Sequence, residues 1–363
     1  MDDGTSEEPS PQPEEPEEPS PQPEEPSPQP KPWPKLEVLG GLLGGDFTKT
    51  RSLSIDDEGI IHALGYKVAK TIITDTNTDT SVFVDSDHHG FVGSIEASNG
   101  FTYHIPAYAK MFGRLDRSTG VQDFIHEFAY TPQVRCGAEG ANGILYMSRY
   151  TKSGGIRSYN PNTDVWGSVP FERDPERTSW FNGHWGAASD KDNNVYMPPW
   201  MGTTTTKIDT NGIPRQLGGS PLMSGLVGAA SQKYNGMVYD IGTHQMFSTP
   251  RAGNKILVIN CSDDTQQEIP LPQALIDKFG SAQKSFSCYL GPDGYVYSTA
   301  WGAPIIFRIN VVTLEVEWKD YTEEFKLTEW RANGTGITTH AIVRGNNAYL
   351  GLGGGMYSSK LVY

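Results

Sequence analysis

The sequence predicts an all-β fold: a seven-bladed β-propeller over residues 35–363, closed by an N-terminal strand and preceded by a disordered Pro/Glu-rich tail over residues 1–34. Three observations carry this. Short alternating apolar segments, separated by Gly, Asn and Asp turns, recur with a period of about 40 to 58 residues. A turn residue is followed three places later by an aromatic ring seven times, at Gly59/His62, Gly100/Tyr103, Gly143/Tyr146, Asn193/Tyr196, Gly236/Tyr239, Gly294/Tyr297 and Asn346/Tyr349. In six units the aromatic is followed by an Asp or Asn that ends the next alternating segment, at Asp75, Asp116, Asn160, Asp209, Asn260 and Asn310. Repeats of this length built from short strands are the signature of radially arranged sheets, which bury their faces on one another and leave only short edges.

The tail repeats EEPSPQP three times and carries ten acidic residues against one lysine, which supplies −9 of the formal −14 and leaves the body at −5. It has too little apolar surface to offset the entropy of ordering. Proline at this density favours an extended spacer at about 3.1 Å per residue, roughly 90 Å in all. Because the acidity belongs mostly to the tail, the body has no basic nucleic-acid footprint. No run of 18 apolar residues indicates a membrane span, and no charged-then-apolar leader opens the chain. The expectation is cytosolic synthesis, an unusual export route, or a chain whose leader has been removed. Cys136, Cys261 and Cys288 are too few and too scattered for a disulfide framework or a zinc cluster and are expected as free, buried thiols.

After the tail, KLEVLG (35–40) alternates as a strand should. The chain ends on SSKLVY, the third strand of the seventh unit, so KLEVLG is the donor of that unit's outer strand and GGLLGGDF (40–47) leads inward to the first blade. Within each unit, small-sided stretches such as GAAS and VGSIE suit only a crowded position near the axis. The aromatic strand packs between neighbouring sheets, and the Asp or Asn bonds nearby backbone in a turn. The aromatic-to-Asp/Asn spacings are 13, 13, 14, 13, 21 and 13, and Tyr363 stands 14 after Tyr349. An insertion around THQMFSTPR in the fifth unit is the reading of the outlier. PQALIDKFG (272–280) is the one place where a helical turn is expected.

GPDGYVYSTAWGAPIIFRINVVTLEV (291–316) resembles a blade of the NHL or streptogramin-lyase type of propeller. The stretches GFVGSIEASNGFTYHIPAY (90–108) and GRLDRSTG (113–120) resemble the related kelch-like and YVTN-like repeats. The resemblance covers roughly residues 48 to 363 and implies a fold shared by binding scaffolds, sugar-lactone hydrolases and metal-dependent lyases. Streptogramin lyase-like propellers imply a metal and a histidine near one mouth of the channel.

Residues just before an innermost strand rim one such mouth. Here these are His88 and His89, Arg135, His184 with Trp185, and His340. His89, His184 and His340 are the candidate ligands of a divalent metal, with Arg135 and Trp185 completing a binding mouth; no glutamate ligand can be placed beside them. The plainer expectation is that the histidines bond backbone carbonyls. The glycine-rich GGSPLMSG (218–225) and GLGGG (351–355) read as turns. NTDTSVFVDSDHH (77–89) lacks calcium-loop spacing and reads as a solvated inter-blade loop. Asn260 and Asn333 lie in glycosylation acceptor patterns, which matter only if the chain is exported. Trp180, Trp185, Trp200 and Trp301 are expected in or beside the loops of that face, exposed for stacking or packed between blades.

Two functions follow. One is a non-enzymatic binding or assembly propeller that presents loops to a protein or glycan on an acidic stalk, extracellular, at a cell surface or virion-associated, without membrane insertion and with no required cofactor. The alternative is a metal-dependent lyase or hydrolase working at the channel mouth.

Overall fold

The computed structural model describes residues 1, 31–39, 50–65, 70–86, 89–149, 155–170, 183–200, 202–218, 222, 233–279, 285, 287–300, 303, 305–325, 337–352 and 358–363. The larger compact unit spans Trp33–Tyr363 and holds seven four-stranded antiparallel sheets. From inner to outer strand, blade one is Thr50–Ile55, Ile60–Gly65, Lys70–Asp75 and Thr80–Asp85. Blade two is Phe91–Glu96, Phe101–Pro106, Met111–Asp116 and Gln122–Glu127. Blade three is Val134–Glu139, Leu145–Arg149, Ile156–Asn160 and Val165–Val169. Blade four has short strands, Ala188–Ser189, Val195–Met197, Thr206–Ile208 and Pro214–Gln216. Blade five is Tyr234–Asp240, Gln245–Pro250, Lys255–Asn260 and Gln266–Pro270. Blade six is Cys288–Leu290, Tyr295–Thr299, Ile305–Asn310 and Val316–Asp320. Blade seven is Ile337–Arg344, Asn347–Leu352 and Ser358–Val362, completed by Lys35–Leu39.

The first strands touch in a closed ring, each blade's against the next and the seventh's against the first. Closure is the expected one: Lys35 pairs with Val362 and Leu39 with Ser358, so the N-terminal strand is the outer strand of the last blade. Gly40 lies outside the described residues.

Each seam between neighbouring blades has its own apolar cluster among the described residues. Leu64 and Phe91 join blades one and two, Tyr103 and Tyr159 blades two and three, and Tyr146 and Val195 blades three and four. Tyr196 and Leu257 join blades four and five, Phe247 and Phe307 blades five and six, Tyr297 and Leu361 blades six and seven, and Tyr349 and Leu53 blades seven and one. A four-stranded sheet has two faces to bury, and only its neighbours can cover both. Small residues line the axis for the reason the sequence implied: a Cβ on Gly186 would lie 2.5 Å from the Gly236 backbone of the next blade.

The Asp/Asn mark has the expected role. Oδ1 of Asp75, Asp116, Asn160, Asp209, Asn260 and Asn310 accepts the backbone N–H two residues on, at 2.8 to 3.0 Å, which fixes the turn from third to fourth strand.

Four expectations are corrected. Blade five has no insertion: Gly236 and Tyr239 lie in its inner strand, and the aromatic of the second strand is Phe247, three residues after His244 at φ 55°. Phe247 stands 13 residues before Asn260, so the spacing matches its neighbours. The segment 77–89 is not only loop, since Thr80–Asp85 is the outer strand of blade one. Helix is not confined to one place: beside Gln273–Phe279 there is a turn of helix at Thr322–Phe325 and a 3-10 turn at Ala141–Gly143. In blade seven the left-handed turn residue is Gly345 rather than Asn346.

Candidate functional site at the channel mouth

The inner strand of each blade starts, and the second strand ends, on the same face. A cavity of about 190 Å³ opens there among the inner strands of blades two to six, lined among others by Ser94, Arg135, Trp185, Asn235, Met237 and Ser287. Arg135 sits at a β-bulge: the pairing of the inner strand of blade three with its neighbour shifts between Val134 and Cys136. A bulge re-aims the extra residue's side chain. The Arg135 guanidinium lies 4.8 Å from the Tyr108 ring and 5.5 Å from Trp185, and its Nη2 donates to the Tyr108 hydroxyl at 3.1 Å.

Trp185 stacks on Trp200 with centroids 4.9 Å apart and planes at 9°. A second guanidinium, Arg251, lies 4.3 Å from the Trp185 ring and 5.8 Å from Trp200. Arg135 and Arg251 are each 8% exposed. One pair of indoles is thus gripped by two buried cations, an arrangement worth more than at an exposed surface because the charges are partly desolvated. Beside them Asn235 is 1% exposed, and its Nδ2 has no hydrogen-bond acceptor among the described residues.

His184 has an architectural role at this rim. It is buried; Nδ1–H donates to the Pro198 carbonyl at 2.8 Å, and its backbone N–H donates to Ser148 Oγ at 2.9 Å. A carbonyl only accepts, so the proton sits on Nδ1 and Nε2 accepts from the Thr206 hydroxyl at 3.2 Å. Gln216 Nε2 in turn donates to Thr206 Oγ1 at 3.2 Å. Both ring nitrogens are therefore engaged within blade four. His89 is exposed; His88 and the side chain of His340 lie outside the described residues. Among the described residues no three His, Cys, Asp or Glu side chains are placed to hold a metal ion.

The three cysteines are free and buried, as expected. Cys136 donates its thiol to the carbonyls of His184 and Gly186, both at 3.3 Å, and burial pushes its pKa far up. Burial pushes the Cys288 thiol up to about 12. Both therefore stay neutral and unreactive at ordinary pH. Trp200 is buried in the stack rather than exposed, and Trp180 and Trp301 lie outside the described residues.

Of the residues the sequence singles out, Arg135 and Trp185 line the cavity; Tyr108, Asn235 and Arg251, which the sequence does not single out, lie beside them. Two of these had a signal. Tyr108 and Arg251 follow the second strand at the place Trp200 holds in blade four: five residues after Tyr103, four after Phe247 and four after Tyr196. With blade five mis-registered, Arg251 fell outside the pattern. Asn235 had no such signal.

No protein-family model matches the chain, and no curated protein matches it in sequence. Among solved structures it is similar to virginiamycin B lyase from Staphylococcus aureus, at 14% identity and TM-score 0.68 over 91% of this chain and 99% of that one. It is also similar to the extracellular domain of a putative hybrid two-component system from B. thetaiotaomicron, at 13% identity and TM-score 0.62 over 90% of this chain and 40% of that one. YCF48 from Cyanidioschyzon merolae matches at 10% identity and TM-score 0.60, over 90% and 98%. At these identities the likeness is one of fold.

Proposed function

We propose that this chain is a non-enzymatic binding propeller that takes a glycan or protein partner at the channel mouth framed by Arg135, Trp185, Trp200 and Arg251. The observation that carries the reading is a stacked indole pair beside a cavity, with two buried guanidiniums against Trp185, one of which also reaches Trp200. Arg and Trp buried at a concave site are the residue types on which binding energy concentrates. Among the described residues at the mouth, the two lining thiols are neutral and both ring nitrogens of His184 are bonded. An acidic, proline-rich spacer suits a protein that works at a cell surface or outside the cell, and one of the similar folds is an extracellular domain.

The test is to probe glycan and peptide arrays with the chain and with Trp185→Ala, with circular dichroism as a check on folding. The expected outcome is one class of ligand bound by the parent and lost in a folded variant, with the ligand recovered chemically unchanged. Release of a cleaved product, or binding that Trp185→Ala leaves intact, overturns the reading.

A further inference from the structure

We propose that the cleft between Arg149 and Arg157, on the face of blade three that packs on blade two, is a second binding site, one for the tetrahedral oxyanion of a sulfate or phosphate ester. The cleft measures about 410 Å³, and its polar lining side chains are Arg149, Arg157, Trp166 and Ser168. It shares no lining residue with the cavity at the channel mouth. Strand register puts the four side chains on one face. Arg157 pairs with Met147 on one side and with Ser168 on the other, and Arg149 and Trp166 stand two places from those partners. That face turns toward blade two: Trp166 packs on Phe112 at 4.9 Å and Phe128 at 5.0 Å, and the Arg157 guanidinium lies 5.7 Å from the Phe128 ring.

The two arginines are thus diagonal neighbours on adjacent strands, roughly 7–8 Å apart at the backbone. Like charges so placed repel, and burial together with the charge of Arg149 lowers the Arg157 pKa. Among the described residues neither guanidinium makes an ion pair or a hydrogen bond. Arg149 Nε and Trp166 Nε1 are buried donors without an acceptor among those residues. Buried donors in native proteins are nearly always satisfied. An anion in the cleft would satisfy both and screen the two charges from each other. Every polar side chain lining the cleft can donate, and none is acidic. These donors come from three strands and converge from different directions. A planar carboxylate is used up by a single guanidinium fork, whereas the three free oxygens of an ester sulfate or phosphate can meet several donors at once. The volume falls within the ~300–1,000 Å³ of small-molecule sites, which leaves room for part of the group that bears the ester.

Calorimetric titration of the full chain with inorganic sulfate and with inorganic phosphate, at constant ionic strength and with acetate as the planar control, tests this. Saturable binding of at least one tetrahedral ion is expected, with acetate at least about tenfold weaker, and the tighter of the two assigns the ester. Arg149→Gln and Arg157→Gln are each expected to weaken that ion by about 10- to 100-fold, the worth of a hydrogen bond to a charged group. Without the ion, Arg149→Gln is expected to melt no lower than the parent, because it relieves a like-charge contact. Should a glutamine variant fail to fold, Ser168→Ala, at an exposed position, carries the test with an expected weakening of about threefold or more. No binding of either tetrahedral ion, acetate bound as tightly, or an unchanged affinity in the folded variants overturns the inference. So does an Arg149→Gln chain that melts lower and binds as before, the pattern of an arginine that only supports the fold.

Discussion

Arg308 and Arg135 are both buried against aromatic rings, yet they belong to different kinds of region. Arg308, in the third strand of blade six, is 0% exposed. Its Nε and Nη2 donate to Glu317 Oε2 at 2.9 and 2.7 Å, and Nη1 donates to the Tyr297 hydroxyl at 3.1 Å. Its guanidinium lies 4.3 Å from the Trp33 ring and 4.2 Å from Tyr295, and Asp293 is 3.7 Å away. Burial acts to lower its pKa, but the bonds to Tyr297 and Glu317 outweigh it and the net shift is upward. Arg135 instead rests on Tyr108 and Trp185 at the lip of a cavity. Arg308 is bound by carboxylates of its own blade, whereas Arg135 is set by a bulge at the opening of a cavity. Burial alone does not separate the two; their place in the fold does.

The comparison is broken most severely by removing what Arg308 and its neighbours hold. A chain starting at residue 40, set against one starting at Trp33, loses the outer strand of blade seven, buried Leu36 and Leu39, and the ring beside Arg308. It also loses the Pro34 carbonyl that accepts from the Tyr321 hydroxyl at 2.9 Å. Two buried leucines at roughly 1.5–3 kcal/mol each, plus an opened sheet edge, predict a loss of about 5 kcal/mol or more in urea denaturation. Equal midpoints would refute the clasp. Arg308→Ala comes next, at about 3–5 kcal/mol, because it strands Glu317 and Asp293 without their cation. Arg135→Ala is expected to cost about 1 kcal/mol, near the centre of ordinary substitutions, and to act on ligand binding instead. If the two arginine variants lose equal stability, the distinction drawn between the regions fails.

The fold was legible because its periodic marks have local physical causes: a left-handed turn, an aromatic three residues on, and an Asx turn closing the third strand. Where a turn used a residue that does not advertise the conformation, reading failed. His244 takes φ 55° in blade five, whereas Gly236, the more familiar turn residue, has its φ of 73° at a bulge in the inner strand. That slip of eight residues created a false insertion and hid Arg251. The site was half legible for a related reason. Arg135 and Trp185 precede an easily recognised strand, but the stack of Trp185 on Trp200 and the vacant valence of Asn235 depend on which blades meet at the axis, and that is a property of closure.

His184 sharpens the comparison from the other side, as a rim residue that fastens rather than receives. A rim position by itself implies little contribution to packing; the structure shows a buried ring bonded to Pro198, Thr206 and, through its backbone, Ser148. His184→Ala leaves a cavity and an unsatisfied carbonyl, and should cost about 2–3 kcal/mol in chemical denaturation. A cost below about 0.5 kcal/mol, the range of unremarkable surface changes, would return His184 to the receiving side.

A further effect is set by pH at the seam between blades one and two. His104 is fully buried against Phe91, 5.8 Å away, and Ser52 donates its hydroxyl to the Gly93 carbonyl at 2.7 Å. That hydroxyl therefore accepts from Nδ1–H of His104, at 3.1 Å. Burial, reinforced by the charge of His62, lowers the His104 pKa to about 3, against about 6.5 in an unfolded chain. Between those values the unfolded state binds the extra proton. Stability is thus complete above about pH 6.5 and falls as the pH drops toward 3, at no more than about 1.4 kcal/mol per pH unit from this group. Denaturation at pH 7, 6 and 5 should show the decline, and His104→Leu should flatten it by close to one proton. An unaltered slope in that variant would mean that the ring already carries its proton in the folded chain, and that the seam tolerates a buried charge.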